Sequence, residues 1–143
     1  MNSKDGMSSQ AFRVLVVVND DADREATVQR LGESWPFEHE MIPEKAGEAR
    51  EALDKMRRTR YALVALEWQL PGMDGGELLR VMRQKRILTP VIVVSGYPRE
   101  GVSPRIELSG AVVLNTDDMN PGTLREAIAT ALRQLGIDRA LAA

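Results

Sequence analysis

The 143-residue chain is long enough for one domain with one hydrophobic core, and 43% hydrophobic residues is ordinary for a globular protein. A formal charge of -2 argues against a dedicated nucleic-acid-binding domain; the absence of cysteine excludes disulfides and thiolate chemistry, and a single histidine, His39, excludes any site needing two. No stretch approaches the roughly 18 apolar residues of a membrane span, and the N-terminus MNSKDGMSSQAF lacks the apolar centre of a secretory signal. A cytoplasmic protein with no membrane contact is expected.

Residues 1–11 are polar and expected to be disordered, residues 12–136 to form the domain, and residues 137–143 to be a short tail. Arg13-Val-Leu-Val-Val-Val18 is an apolar run closed by Asn19-Asp20-Asp21, the pattern of a buried strand followed by a helix start. Residues 22–34 read as a helix of modest amphipathicity, ended by Pro36. A weak strand is expected over Phe37 to Ile42, with Pro43 closing it. Residues 46–58 read as a clearer helix, with Ala46, Ala49, Leu53 and Met56 at helical spacing.

Tyr61-Ala-Leu-Val-Ala-Leu66 is the next apolar run and ends at Glu67. Leu70-Pro-Gly-Met-Asp-Gly75 is a loop by its proline and glycine content. Residues 76–85 form a helix with Leu78, Leu79 and Met82 inward, and Pro90-Val-Ile-Val-Val-Ser95 a strand with its proline in first position. Pro98, Gly101 and Pro104 limit any helix within 97–109 to a short, late one. Ala111-Val-Val-Leu114 is a fifth strand. Residues 121–135 form a last helix, with Leu124, Ile128, Leu132 and Leu135 on one stripe and Gly136 as a stop.

Five continuous apolar runs alternating with helices predict a parallel sheet covered on both faces. Right-handed crossovers then gather the C-terminal ends of the strands at one edge, where ligands of such sheets bind. Asn19-Asp20-Asp21, Glu67, Ser95 and the residues from Asn115 onward fall there. Carboxylates meeting at one edge need a proton or a cation, and oxygen ligands suit Mg2+. Taken alone, Asn19 and Asp20 read as caps of the next helix in preference to metal ligands.

Two segments tilt that balance. Glu67-Trp-Gln-Leu-Pro-Gly-Met-Asp-Gly75 resembles the stretch that follows the phosphoacceptor of bacterial response-regulator receiver domains. Val-Ile-Val-Val-Ser95-Gly-Tyr97 is similar to that family's fourth strand and its hydroxyl residue. The resemblance covers residues 13 to about 135. It implies an α/β three-layer sandwich, a doubly wound five-stranded parallel sheet of the flavodoxin-like receiver fold with strand order 2-1-3-4-5. It further implies that Asp20 binds Mg2+ directly, that Asn19 lies in its outer shell, that Gln69 offers a backbone carbonyl, and that Ser95 is the hydroxyl switch position.

The departures from the family are equally specific. Glu67 stands where the family has an aspartate. The lysine after the fifth strand is replaced by Asp117 on an ungapped count, or by Asn115 or Thr116 when the strand is aligned by hydrophobicity. The aromatic switch position falls on Leu114 or a neighbouring valine. Acyl-phosphate formation requires in-line attack with metal and lysine balancing the charge. One extra methylene moves the nucleophile by about 1.5 Å, and a misplacement near 1 Å costs on the order of 100-fold in rate. The Mg2+ site is expected to be weakened and the chain not to be an enzyme. The function implied is that of an atypical receiver in phosphorelay signalling, acting through protein contacts with a histidine kinase or another regulator, with a homodimer as the family-based expectation. Glu67 could also hold the domain in an active-like state. The alternative is a phosphorylatable receiver with altered Mg2+ chemistry, regulating an attached transcription module.

Two basic clusters, Arg57-Arg58-Arg60 and Arg80-Arg83-Lys85-Arg86, sit at the ends of predicted helices. They read as solvated charges favoured by the helix C-terminus in preference to a binding patch. Trp35 and Trp68 read as packing residues, with Trp68 placed to shield Glu67. A nucleotide-binding fold is disfavoured because no glycine-rich loop follows the first strand, where Asn19-Asp20-Asp21 would repel phosphates.

Overall fold

In the computed structural model, which describes residues 11–95, 111–116 and 119–134, the apolar runs become strands and the amphipathic segments helices. In chain order these are β1 (Phe12–Val17), α1 (Asp21–Glu33), β2 (Met41–Ala46), α2 (Ala49–Arg58), β3 (Leu63–Glu67), α3 (Gly75–Gln84), β4 (Val91–Ser95), β5 (Ala111–Asn115) and α4 (Pro121–Gln134). All strand pairs are parallel and the sheet order is β2-β1-β3-β4-β5, the doubly wound receiver-type topology.

Alternation along each strand sends side chains to two cores. Leu15, Val17, Val64 and Leu66 meet Ala52, Met56, Leu78 and Met82 of α2 and α3. Val14, Val16, Leu63 and Ile92 meet Leu31 of α1 and Leu124, Ile128 and Leu132 of α4. This two-sided burial is why the strands read as unbroken apolar runs. Tyr97, Pro98, Gly101, Pro104, Leu135, Gly136, the fourth helix sought within 97–109 and both chain ends lie outside the described residues.

The second strand corrects the sequence reading. It runs Met41–Ala46 with Pro43 inside it, in place of Phe37–Ile42. β2 is an edge strand that pairs only with β1, Val14 opposite Pro43, so a proline N without hydrogen is tolerated on its open side. Phe37 is drawn instead into an aromatic cluster with Phe12 and Trp35, at centroid distances of 6.1 and 5.4 Å, and Trp35 Nε1 donates to the His39 carbonyl at 3.0 Å. Ala46 closes this strand, and α2 starts at Ala49, three residues later than its spacing predicts.

Helix ends are satisfied by side chains. Asp20 caps α1 by accepting from the Asp23 N–H, and Asp74 forms a reciprocal capping box with Glu77 at the start of α3. At the other end of α3, the Ile87 N–H donates to Met82 O and the Arg86 N–H to Arg83 O. This is a Schellman closure, and its left-handed residue is Arg86, with φ 64. Glycine is the usual occupant, and a side chain there costs about 1 kcal/mol.

Candidate functional site

Glu67, the last residue of β3, sits across the sheet from Val94 of β4, and its carboxylate turns toward the end of β1. One of its oxygens, Oε1, accepts the Asn19 backbone N–H at 2.9 Å. Asn19 in turn points its side chain toward the β2–α2 loop, where Nδ2 donates to the Gly47 carbonyl at 3.0 Å. Asp20 Oδ2 accepts from the Asp23 N–H at 2.9 Å. The residues of the expected acidic cluster are thus neighbours, and each is engaged with backbone groups.

The loop after β3 fixes how closely α3 approaches this edge. Met73 N–H closes back onto Pro71 O over Gly72, which has φ 80, and Gly75 N–H donates to Trp68 O at 2.7 Å. A Cβ at Gly75 would lie 2.6 Å from the Glu67 carbonyl oxygen, so only glycine fits there without backbone movement. The Pro-Gly-Met-Asp-Gly segment therefore sets the backbone position of Glu67 itself.

A cavity of about 350 Å³ opens beside Glu67, and its lining includes Trp68, Gln69, Thr116 and Met119 together with Thr27 and Arg30 of α1. Trp68 also packs against the α2/α3 core, as a packing residue should. Ser95 is buried at the end of β4, in register with Asn115 of β5. Of the positions weighed for the missing lysine, Thr116 faces this cavity, Asn115 ends β5, and Asp117 lies outside the described residues. Leu114 is buried in the α1/α4 core.

Arg24 is a member of this edge that the sequence reading missed. Its Nη1 donates to Val18 O at 2.8 Å and to Asn19 O at 3.1 Å, and its other terminal nitrogen pairs with Asp21. An arginine three residues after an acid in the first turn, next to a strand end, was the available signal. Among the described residues no three His, Cys, Asp or Glu side chains converge as a metal-ligating group.

The sheet order β2-β1-β3-β4-β5, all parallel and covered by helices on both faces, defines the class of doubly wound α/β domains. The family model for the response regulator receiver domain matches residues 14–129, and the chain belongs to that family. The chain is 31% identical over 90 residues to a protein-glutamate methylesterase/protein-glutamine glutaminase of Treponema denticola, covering 63% of the chain and 23% of that protein. Among solved structures it is similar to the response regulator receiver domain protein (CheY-like) of Methanospirillum hungatei JF-1, with a TM-score of 0.71 and 31% identity, over 87% of this chain and 97% of that one. It shares its fold with the response regulator TrrA of Thermotoga maritima, solved in complex with Mg(2+)-BeF, with a TM-score of 0.70 and 24% identity, over 85% of this chain and 99% of that one. The chain spans less than a third of the length of the curated relatives it matches. Its general role is that of a receiver in two-component phosphorelay signalling through protein partners. No helix among the described residues is long and apolar enough to cross a membrane.

Proposed function

We propose that this receiver is not phosphorylated at Glu67 and that it signals as a docking module, with a histidine kinase or another regulator as its partner. The observation that carries this reading is the hydrogen bond from the Asn19 N–H to Glu67 Oε1 at 2.9 Å. An attacking carboxylate must present an oxygen in line with a phosphoryl donor. Here the longer side chain is folded back on β1, and breaking that bond would be part of the cost of any attack.

The charge balance supports the same reading. Neither Asn115 nor Thr116 supplies the cation that would balance a phosphoryl group, and Asp117 would add negative charge. An Mg2+ ion, which can neutralise phosphoryl charge when bound, would call on Asp20, Glu67 and the Gln69 carbonyl. Asp20 is committed to the Asp23 N–H, and Asn19 supplies an amide in place of a second carboxylate. These residues do not fit a tight hard-cation site, and we infer a weakened one.

The test is intact-protein mass after incubation with acetyl phosphate and Mg2+, on wild type and on Glu67→Asp. The expected result is no added phosphate on wild type. Phosphate on Glu67→Asp alone would locate the defect in the side chain's length, and phosphate on neither variant would assign an independent part to the missing lysine. Phosphate on wild-type Glu67 would overturn the proposal in favour of a working phosphoacceptor of altered chemistry.

A further inference from the structure

The opposite edge of the sheet, where the strands begin, carries a depression of about 620 Å³ between the C-terminal ends of α2 and α3. Its lining includes Arg57, Arg58, Arg60 and Arg86, with Ile87 and Leu88 as apolar wall. The packing of α2 beside α3 thus brings Arg86, the last member of the second basic cluster, to the whole of the first. Arg57 and Arg58 pair with the same carboxylate, Asp54, while their side chains stay 67% and 74% exposed. Arg60 and Arg86 have no ion-pair partner among the described residues. Of the four guanidinium groups, then, two pair with one acid and two have no acid partner among the described residues.

The second observation is the backbone of Arg86. It occupies the left-handed position of the α3 closure, where glycine fits without strain. A strained residue held at the rim of a charged cavity is a pointer to function. The wall beyond it is held in shape from beneath: half-buried Arg83 donates from Nη1 to Ile87 O at 2.8 Å and to Thr89 O at 3.0 Å. Leu88, 63% exposed, is the large apolar side chain left open to solvent among the described residues, and it stands at this rim.

We propose that this depression is a binding site for a polyphosphate anion, with Arg60 and Arg86 as its main ligands and Arg57 and Arg58 in support. Guanidinium groups match phosphate oxygens in planar pairs. The volume lies in the range of small-molecule pockets and exceeds what a single phosphate fills. The apolar wall of Ile87 and Leu88 can seat an organic part such as the base of a nucleotide. The site lies at the far end of the sheet from Glu67, so its occupation does not depend on the chemistry proposed there.

Isothermal titration of the full chain in the presence of a chelator, at low and high salt, tests this with inorganic tripolyphosphate and adenosine triphosphate as probes. The shared chemistry requires that both bind and that salt weaken both. Tighter binding of the nucleotide identifies a nucleoside polyphosphate as the ligand, and equal binding identifies the phosphate chain alone. Arg86→Gly is expected to weaken binding by about 10-fold, roughly the value of one charge-assisted pair, while its melting temperature does not fall, because glycine suits that backbone. Arg60→Ala should weaken binding similarly, and Arg125→Ala on the distant α4 should leave it unchanged. Arg86→Gly binding like wild type, equal losses in Arg125→Ala, tighter binding of an acidic peptide or a DNA duplex, or no heat with either phosphate probe would each overturn the proposal.

Discussion

The two edges of the sheet carry opposite charge and use it differently. At the edge where the strands end, Asp20, Glu67 and Asp74 each accept a backbone N–H, from Asp23, Asn19 and Glu77 respectively. At the edge where the strands begin, four arginines line an open depression, and among the described residues only Arg57 and Arg58 pair with an acid, Asp54. The asymmetry has one origin. In a doubly wound parallel sheet every helix starts at one edge and finishes at the other, so amide hydrogens and the positive ends of helix dipoles gather with the acids, and carbonyls and negative ends with the bases. A charged side chain's capacity for a ligand is what remains after these local partners are counted. On that count the acidic edge is largely committed, and the basic edge is open.

The largest effect expected from disturbing this comparison is at Gly75. A methyl group there would meet the Glu67 carbonyl oxygen at 2.6 Å, a backbone atom that cannot swing away. Gly75→Ala should cost about 2 kcal/mol by overpacking, read as a lowered midpoint in denaturant unfolding. A smaller loss than in an exposed Gly→Ala control such as Gly122→Ala would show that α3 does not press on the acidic edge as described.

Tyr61 tests a carboxylate, Glu44, held by both a hydroxyl and a guanidinium. Its hydroxyl donates to Glu44 at 2.6 Å, and burial, reinforced by that bond, pushes its pKa up to about 12. The Tyr61 hydroxyl, opposed by burial and helped by the Arg13 guanidinium, holds the Glu44 carboxyl below its ordinary value. The signs follow directly. Tyr61 favours the folded state in full below its unfolded pKa near 10, and that contribution is lost as the pH rises through about 12. Glu44 contributes above the ordinary carboxylate range, and its share is lost as the pH falls through its depressed value. Tyr61→Phe should cost about 1.5 kcal/mol at neutral pH and flatten the alkaline decline in melting temperature between these two pKa values. An unchanged alkaline slope would assign that decline to other groups.

Asp20 separates capping from metal binding. Asp20→Ala should lose about 1 kcal/mol of stability, whereas Asp20→Asn, an equally good cap, should lose only a few tenths. Urea titration of both variants, with and without Mg2+, makes the distinction: a large Mg2+-dependent gain in wild type that Asp20→Asn abolishes would show an acidic edge still free to hold a cation. The smallest expected effect is a gain. Arg86→Gly should raise stability by somewhat under about 1 kcal/mol by relieving the left-handed closure, visible as a small rise in melting temperature.

Much of this was legible in the sequence because both cores are built from local periodicity. The apolar run ending in Val18 had to be a strand, and the stripe Leu124, Ile128, Leu132 had to be a buried helix face. Glu67 was legible as the residue that closes the third strand because the apolar run ends there and a proline- and glycine-rich loop follows. β2 was misplaced because its hydrophobic signal is weak at an edge, and because Phe37 packs its ring against Phe12 and Trp35 before the strand begins. Arg24 was missed because its role rests on two carbonyls of β1's end, which sequence spacing does not reveal.

By itself, then, the sequence determined the family, the two-faced sheet and the identity of the carboxylate that closes its central strand, because those follow from patterns carried within each segment. Only the tertiary structure decided where that carboxylate turns and that Arg86 joins Arg57, Arg58 and Arg60, read separately as solvated helix ends, around one depression. Both depend on how α2, α3 and β1 are set against one another, and that relation is fixed by packing between residues far apart in the chain.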